Sequence, residues 1–446
     1  MGKARETLLN MWRIKDLRMK ILITLLFAAI YRFGSFVVLP GIDPGQLARL
    51  HEQTNNGLMQ LLNMFSGGAF SNASIFALGI MPYISASIAI QIASMIMPSV
   101  QKMQREGESG RRKLNQYTRY LTLVILIVQG YFYIENLKAQ AGDAINPAIS
   151  GLAFQLISTV ILAGGSMFIL WLGERITDRG IGNGVSIIIM LGIIARLPAS
   201  FTQEVVTRLE NAHAGGLVMF LIEMVILLAV MMAAILLVQG TRRVPVDYAK
   251  KIVGNRQYGG ARQYIPLKPY AANVMPIIFA QAIMFIPLTL AGFSGKSNNS
   301  VVMLFMDHTS WLYNIVFALL IIGFTYLYTA ITLNPVQMAE DLKRSNGYIP
   351  KIKPGKDTAD YIDGIMSRII LPGSLFLAFI ACMPAFAGIF GVKAEFAQFF
   401  GGTSLLILVG VVLDTLQQIE SHLLMSHYDG LLEEGHIRGR NAAPVA

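Results

Sequence analysis

Charge is scarce in this chain: 14% of its 446 residues are Asp, Glu, Lys or Arg, and 54% are hydrophobic. A soluble domain carries about 25% charged residues, so a freely soluble globular protein is excluded. Cysteine is nearly missing as well. Cys382 stands alone inside an apolar run, which rules out an internal disulfide and leaves a small buried hydrophobe as its expected role. Catalytic equipment is missing too. There is no HExxH metal-hydrolase motif and no GxSxG nucleophile elbow. The stretch from Gly292 to Ser297 imitates the end of a phosphate-binding loop, but Leu290 stands where the opening glycine belongs. Gly180, Gly182 and Gly184 do not make the dinucleotide-binding spacing either. The chain is therefore expected not to be an enzyme and to hold no cofactor and no metal. Any work it does is driven by a partner or a gradient.

Apolar segments fill the sequence instead. They run near 21–40, 74–98, 116–137, 152–173, 181–198, 215–240, 272–292, 310–333, 368–388 and 403–421. About 20 apolar residues cross roughly 30 Å of hydrocarbon at about 1.5 Å per residue. The expected fold is an all-α polytopic membrane protein with ten transmembrane helices. The net charge of +10 sits almost wholly between the segments, and it alternates. The tail up to Lys20 and the loops 99–115, 241–271 and 334–367 are strongly basic, whereas the intervening loops carry single cations, Arg49, Lys138, Arg208, Lys296 and Lys393. By the positive-inside rule both termini are cytoplasmic. The first segment is not a cleaved signal peptide, because Arg32 interrupts its core and no small-residue cleavage site follows. An arginine at that depth needs a partner. Backbone carbonyls or a neighbouring helix are the expected ones, and a direct substrate contact is the alternative.

One stretch does not fit a simple span. Residues 57–73 are moderately apolar, too short to cross, and loosened in the middle by Gly67 and Gly68. They read as a short or re-entrant helix on the outer side; a plain extracellular loop is the other reading. Non-helical backbone survives at membrane depth only if protein buries it or it lines a water-filled cavity, so a broken segment implies a cavity. Two acids lie deep in spans, Glu223 and Asp414. They read as helix-packing partners, with a coupling-ion site as the alternative. Ile80 and Ile84, four apart, share a helix face, as do Val185 and Ile189. Spacing alone makes such pairs core or lipid-facing.

An ordered set of short motifs changes that weight. Tyr31-Arg-Phe-Gly-Ser35 leads to Leu39-Pro-Gly-Ile-Asp43, then to the run from Ser74 to Ile88 with its Met81-Pro-Tyr83. Glu106-Gly-Glu-Ser-Gly110, Gln116-Tyr-Thr-Arg-Tyr120, Thr177-Asp-Arg-Gly-Ile-Gly-Asn-Gly184 and Arg243-Val-Pro-Val-Asp-Tyr-Ala-Lys250 follow. Leu333-Asn-Pro335, Ile352-Lys-Pro-Gly355 and Gly401-Gly-Thr-Ser404 complete the series. From about residue 12 to 440 the sequence resembles the SecY family of protein-conducting channels.

The resemblance implies a channel that translocates unfolded secretory polypeptides and releases transmembrane segments laterally into lipid. An ion-coupled secondary transporter with broken helices is the alternative, and a structural scaffold a third. It implies a cytoplasmic tail 1–20, a half 21–198 with a plug near 57–73, an outer linker 199–214, an inverted half 215–421 and a cytoplasmic tail 422–446. The pore ring would be Ile80, Ile84, Val185, Ile189, Ile278 and Ile407. The plug would include Asn63, Met64, Phe65, Gly67 and Gly68. Ser85, Ser87, Gln91 and Gln281 are lateral-gate candidates, Gln281 standing where a small serine is expected. Arg242, Arg243, Lys250, Lys251, Arg256, Lys351, Lys353 and Lys356 would dock a partner, with lysine at 353 where many members have arginine. Implied partners are SecE- and SecG-type small membrane subunits, the SecA motor ATPase, the ribosome, signal sequences and unfolded preproteins, with anionic lipids as a further contact of the basic loops. The implied location is the plasma (inner) membrane.

Overall fold

Apolar segments become helices in a membrane because each main-chain N–H and C=O must find its partner inside the segment. The computed structural model describes residues 14–44, 63, 66–141, 145, 151–210, 216–248, 251–253, 256–258, 262–269, 275–281, 283–284 and 310–434. Its helices are α1 (Lys15–Gly34), α2 (Met81–Ile96), α3 (Pro98–Arg105), α4 (Glu108–Ala141), α5 (Leu152–Arg179), α6 (Gly184–Glu210) and α7 (Gly216–Gln239). After a β-rich stretch come α8 (Trp311–Thr332), α9 (Pro335–Arg344), α10 (Lys356–Ile389), α11 (Ala394–Ala397) and α12 (Gly402–Glu434). Residues 275–281 and 283–284, inside the expected seventh span, are helical.

Among the described residues seven helices are long and apolar enough to cross a membrane, or eight if α2 and α3, bent by 104° at Met97, are one broken span. α1 falls outside that set because Asp16, Arg18, Lys20 and Arg32 interrupt it. The chain is a multi-pass membrane protein. Several helices overrun the expected spans. α4 and α10 have 34 residues and α12 has 33, about 50 Å at 1.5 Å per residue, so they project past a core about 30 Å thick. α6 continues to Glu210 through Pro198, so most of the expected outer linker 199–214 is helix.

The second span is a correction of the opposite kind. Helix was expected from 74, yet residues 66–80 form successive turns and α2 begins only at Met81, with Pro82 in its first turn. Proline pre-sets the first helical turn, and Gly79 just before it takes φ +56°, a left-handed conformation that ends any helix from the N-terminal side. The turns close their own polar groups: Gly68 N–H donates to the Asn63 carbonyl at 2.8 Å and Ser74 N–H to the Ala69 carbonyl at 3.0 Å.

The basic loops are not structureless. β1 (Arg242–Tyr248) pairs antiparallel with β4 (Arg262–Leu267) and with the two-residue β5 (Gly347–Tyr348), while β2 (Lys251–Val253) and β3 (Arg256–Tyr258) make a separate hairpin. Pro245 lacks an N–H, and on the β5 side β1 is paired only at Asp247 and Tyr248, so no ladder bond is lost there. Val244 and Val246, on one face of β1, bury against Leu342 of α9 and Ile362, Met366 and Ile370 of α10. The sheet thus rests on the projecting end of α10 and joins the two long basic loops into one platform.

Candidate pore, plug and docking face

The largest apolar cluster lies where α2, α6, residues 275–281 and α12 meet. Ile80 stands just before α2 and Ile84 on its first turn, the Ile84 N–H donating to the Ile80 carbonyl at 3.2 Å. Ile189 comes from α6 and Ile407 from α12; these four isoleucines are buried members of one cluster, and Val185 and Ile278 pack against it partly buried. Six aliphatic side chains from four separated segments therefore belong to one apolar cluster, which also takes in Tyr31 of α1, Ile169 to Ile176 of α5 and residues from Ala387 to Phe400. Helical spacing could pair 80 with 84 and 185 with 189, but only the tertiary fold brings the pairs together with 278 and 407. Phe279 fixes the neighbouring stretch by edge-on contacts to Phe324 and Tyr328 of α8, with ring centres 6.0 and 5.9 Å apart.

The turns at 66–73 lie on this cluster: Ala69 belongs to it, while Phe70 and Ala73 pack with Leu39, Tyr133 and Phe154. Asn63 is fully buried, and its carboxamide Oδ1 accepts from the Ser71 N–H at 3.1 Å. Gly67 and Gly68 take φ +65° and +90°. Met64 and Phe65 lie outside the described residues. Arg32 meets the expectation of a carbonyl partner, donating from Nη1 to the Gly67 carbonyl at 2.7 Å. Tyr31 and Tyr133, which periodicity gave no reason to single out, also donate to carbonyls of these turns.

Of the gate candidates, Ser85, Ser87 and Gln91 are half-buried along α2. Gln281 is buried, and its Oε1 has no hydrogen-bond partner among the described residues. No hydrogen bond among the described residues joins the α2 side chains to Gln281.

On the basic face Arg242 and Arg243 are exposed on β1, and Lys351, Lys353 and Lys356 are exposed between β5 and the start of α10. The β1–β5 pairing puts both groups on one scaffold. Arg262 forms an ion pair with Asp247 through Nε at 3.0 Å, which raises the guanidinium pKa further above its ordinary value. Lys250 lies outside the described residues; for Lys251 and Arg256 the backbone alone is described, in β2 and β3.

Glu223 is no isolated carboxylate. On α7 it pairs with Arg208 of α6, which also binds Glu204 through Nε at 2.9 Å and donates to the Gly391 carbonyl at 2.9 Å. Glu204 in turn accepts the Lys393 N–H at 3.1 Å. The sequence alone reads Arg208 as the single cation of an outer loop; the structure puts it on α6 between two carboxylates. Glu174 likewise pairs across helices, with Arg119 of α4 at 2.7 Å.

The family model for SecY matches residues 74–416. The protein translocase subunit SecY of Escherichia coli K12 is 41% identical over 433 residues, covering 95% of this chain and 96% of that protein. The chain belongs to the SecY family. Among solved structures, one described as showing that the plug domain of SecY stabilises the closed state of the translocation channel superposes with a TM-score of 0.62 at 16% identity, covering 91% of this chain and 92% of that one. The idle yeast Ssh1 complex bound to the yeast ribosome gives 0.58 at 14% identity, covering 96% and 94%. At such identities the structures show a shared fold. The alternative of an ion-coupled transporter is not supported, either by this family or by Glu223, which is already held by an arginine.

Proposed function

We propose that this chain is the central subunit of a bacterial-type protein translocase in the plasma membrane, with both termini cytoplasmic. It passes unfolded polypeptides across and releases apolar segments sideways. The observation that carries this reading is that Ile80, Ile84, Val185, Ile189, Ile278 and Ile407, from four separated segments, share one apolar cluster. An aliphatic constriction dewets and offers an ion no ligand. It is also blind to sequence, because it wraps a passing chain through dispersion contacts that no particular side chain is needed to make. A polar ring would hold some sequences and stall.

The side exit lies between α2 and residues 275–284, where Ser85, Ser87, Gln91 and Gln281 add polarity to an otherwise apolar seam. Partitioning there follows roughly −0.3 to −0.6 kcal/mol for each Leu-like residue and about +2.5 kcal/mol or more for a charge. The two halves, 21–198 and 215–421, close like a clamshell, and the Arg208 ion cluster ties α6 to α7 where they adjoin. The chain performs no catalysis itself, so force comes from outside. The exposed Arg242, Arg243, Lys351, Lys353 and Lys356 on one platform suit an acidic or phosphate-bearing partner, namely the motor ATPase SecA or the ribosome. SecE- and SecG-type subunits complete the complex.

A secretory precursor stalled in transit is expected to crosslink to photoprobes at 80, 84, 189 and 278 and not to probes at Val225 or Leu228, which are exposed on α7. Equal labelling at both sets, or none at the ring, would overturn the channel assignment. For the docking face, reversing charge with Arg242→Glu and Arg243→Glu is expected to weaken SecA or ribosome binding roughly tenfold, most strongly at low salt. Co-sedimentation across a salt series measures it; unchanged binding would leave these loops a topological role alone.

A further inference from the structure

The described turns at 66–73 are gripped from outside by three side chains, and each grip ends on a main-chain carbonyl. Arg32 Nη1 donates to Gly67 at 2.7 Å, Tyr31 Oη to Ser66 at 3.3 Å and Tyr133 Oη to Phe70 at 2.9 Å. Arg32 differs from the two tyrosines in carrying a guanidinium charge, and a charge-assisted bond is about twice as strong as a neutral one. Its guanidinium also lies over the Phe36 ring, 4.6 Å from the centre, which keeps the fork facing the turn.

The turn that Arg32 holds sits directly on the backbone beside the ring. A Cβ on Gly67 would come within 3.0 Å of the Gly192 Cα, and one on Gly79 within 3.6 Å of the Ser66 Cα. Gly192 is one helical turn past Ile189 on α6, and Gly79 immediately precedes Ile80. The seat is therefore made of main chain adjoining two of the isoleucines proposed to form the constriction. If the turn lifts from that seat, the guanidinium loses its carbonyl.

We propose that Arg32 is a latch: its bond to the Gly67 carbonyl holds these turns on the ring and sets how rarely the resting channel opens. The proposal rests on the reading of the ring as the pore. Because the bond ends on a carbonyl, the latch depends on where the backbone of the turn lies and not on the side chains the turn carries. Arg32 is a positioning residue and need not touch the passing chain.

The test uses the full-length chain with its co-purifying subunits in planar bilayers, with potassium chloride as the probe. Arg32→Met is expected to raise resting open probability roughly ten- to a hundredfold, the worth of one hydrogen bond to a charged group. Arg32→Lys, which keeps the charge but loses the fork, should recover much of the closure. A crosslink separates the latch from general damage. The Ser66 Cβ lies 3.7 Å from a Cβ built on Gly79, inside the disulfide range of about 3.5–4.5 Å. In a Cys382→Ala background the Ser66→Cys, Gly79→Cys pair is measured with Arg32 and with Arg32→Met, because a side chain at the left-handed Gly79 is itself strained. Oxidation should bring the Arg32→Met channel down to the conductance of its Arg32 counterpart, and reductant should restore the leak. A leak that survives the crosslink would overturn the latch. So would a quiet Arg32→Met channel alongside a leaking ring variant. If neither variant leaks, the pore reading itself fails.

Discussion

Replacing Ile80, Ile84, Ile189 and Ile278 together with serine is expected to make the resting protein conduct ions. The four side chains share one apolar cluster with Ile407 and Val185, and what they deny an ion is both water and ligands. Hydroxyls in their place wet the constriction. Conductance should rise on the order of tenfold for each 1.4 kcal/mol or so of dewetting barrier removed. Each substitution also deletes packed methyl groups, and core truncations of this kind cost about 2–5 kcal/mol in a well-packed site. A leak could therefore report loosening alone. Ile321 provides the control. It is fully buried, but in the second cluster, which α7, α8, α10, α12 and residues 277, 280 and 284 build. Ile321→Ser is expected to lower the melting temperature without raising conductance. If Ile321→Ser leaks as much as the ring variant, or the ring variant stays silent, the six residues are ordinary core.

Arg208→Met is expected to do the greatest harm to stability. The side chains of Arg208, Glu204 and Glu223 are 12%, 0% and 3% exposed. The small values that apply to surface ion pairs do not apply here. Removing the arginine strands two carboxylates in apolar surroundings, and breaking one buried pair costs about 3–5 kcal/mol. The loss also removes the bonds by which Arg208 ties α6 to Glu223 of α7 and to the Gly391 carbonyl, leaving Glu204 with the Lys393 N–H alone. The purified complex should melt at a clearly lower temperature or fail to accumulate. Adding Glu204→Gln and Glu223→Gln to Arg208→Met should recover most of the loss, because the uncompensated charges then disappear. A melting temperature unchanged by Arg208→Met would show that the cluster contributes little to stability.

Much of the architecture was open to sequence reading because its causes are local. The apolar segments from 116 to 240 and from 310 to 421 coincide with helices, since a run without charges in lipid has no other way to satisfy its backbone. Boundaries failed where a local signal was overridden. Residues 199–210 look polar enough for a loop, yet α6 carries on to Glu210 because Glu204 and Arg208 are neutralised by one another and by α7. The start of the second span failed in the other direction, with Gly79 and Pro82 postponing the helix to Met81. In the basic loop at 241–271 the valines at 244 and 246 alternate as a strand should, but a two-valine alternation amid so many cations is too weak a signal to predict a sheet. The site divides in the same way. Glycines 67 and 68 announced a broken segment, and Arg32 announced the need for a partner. That the two needs answer each other could not be read, because they lie 35 residues apart.

By itself the sequence determined that this protein lives in a membrane and that its motifs follow the order of one family. These follow from composition and from residues adjacent along the chain, which act over a turn or two. The tertiary structure alone decided which of the many isoleucines meet, which carbonyl Arg32 finds, and that Arg208, Glu204 and Glu223 form one cluster. Aliphatic side chains are chemically alike and ionic partners attract at any sequence separation, so their pairing is set by how the helices pack.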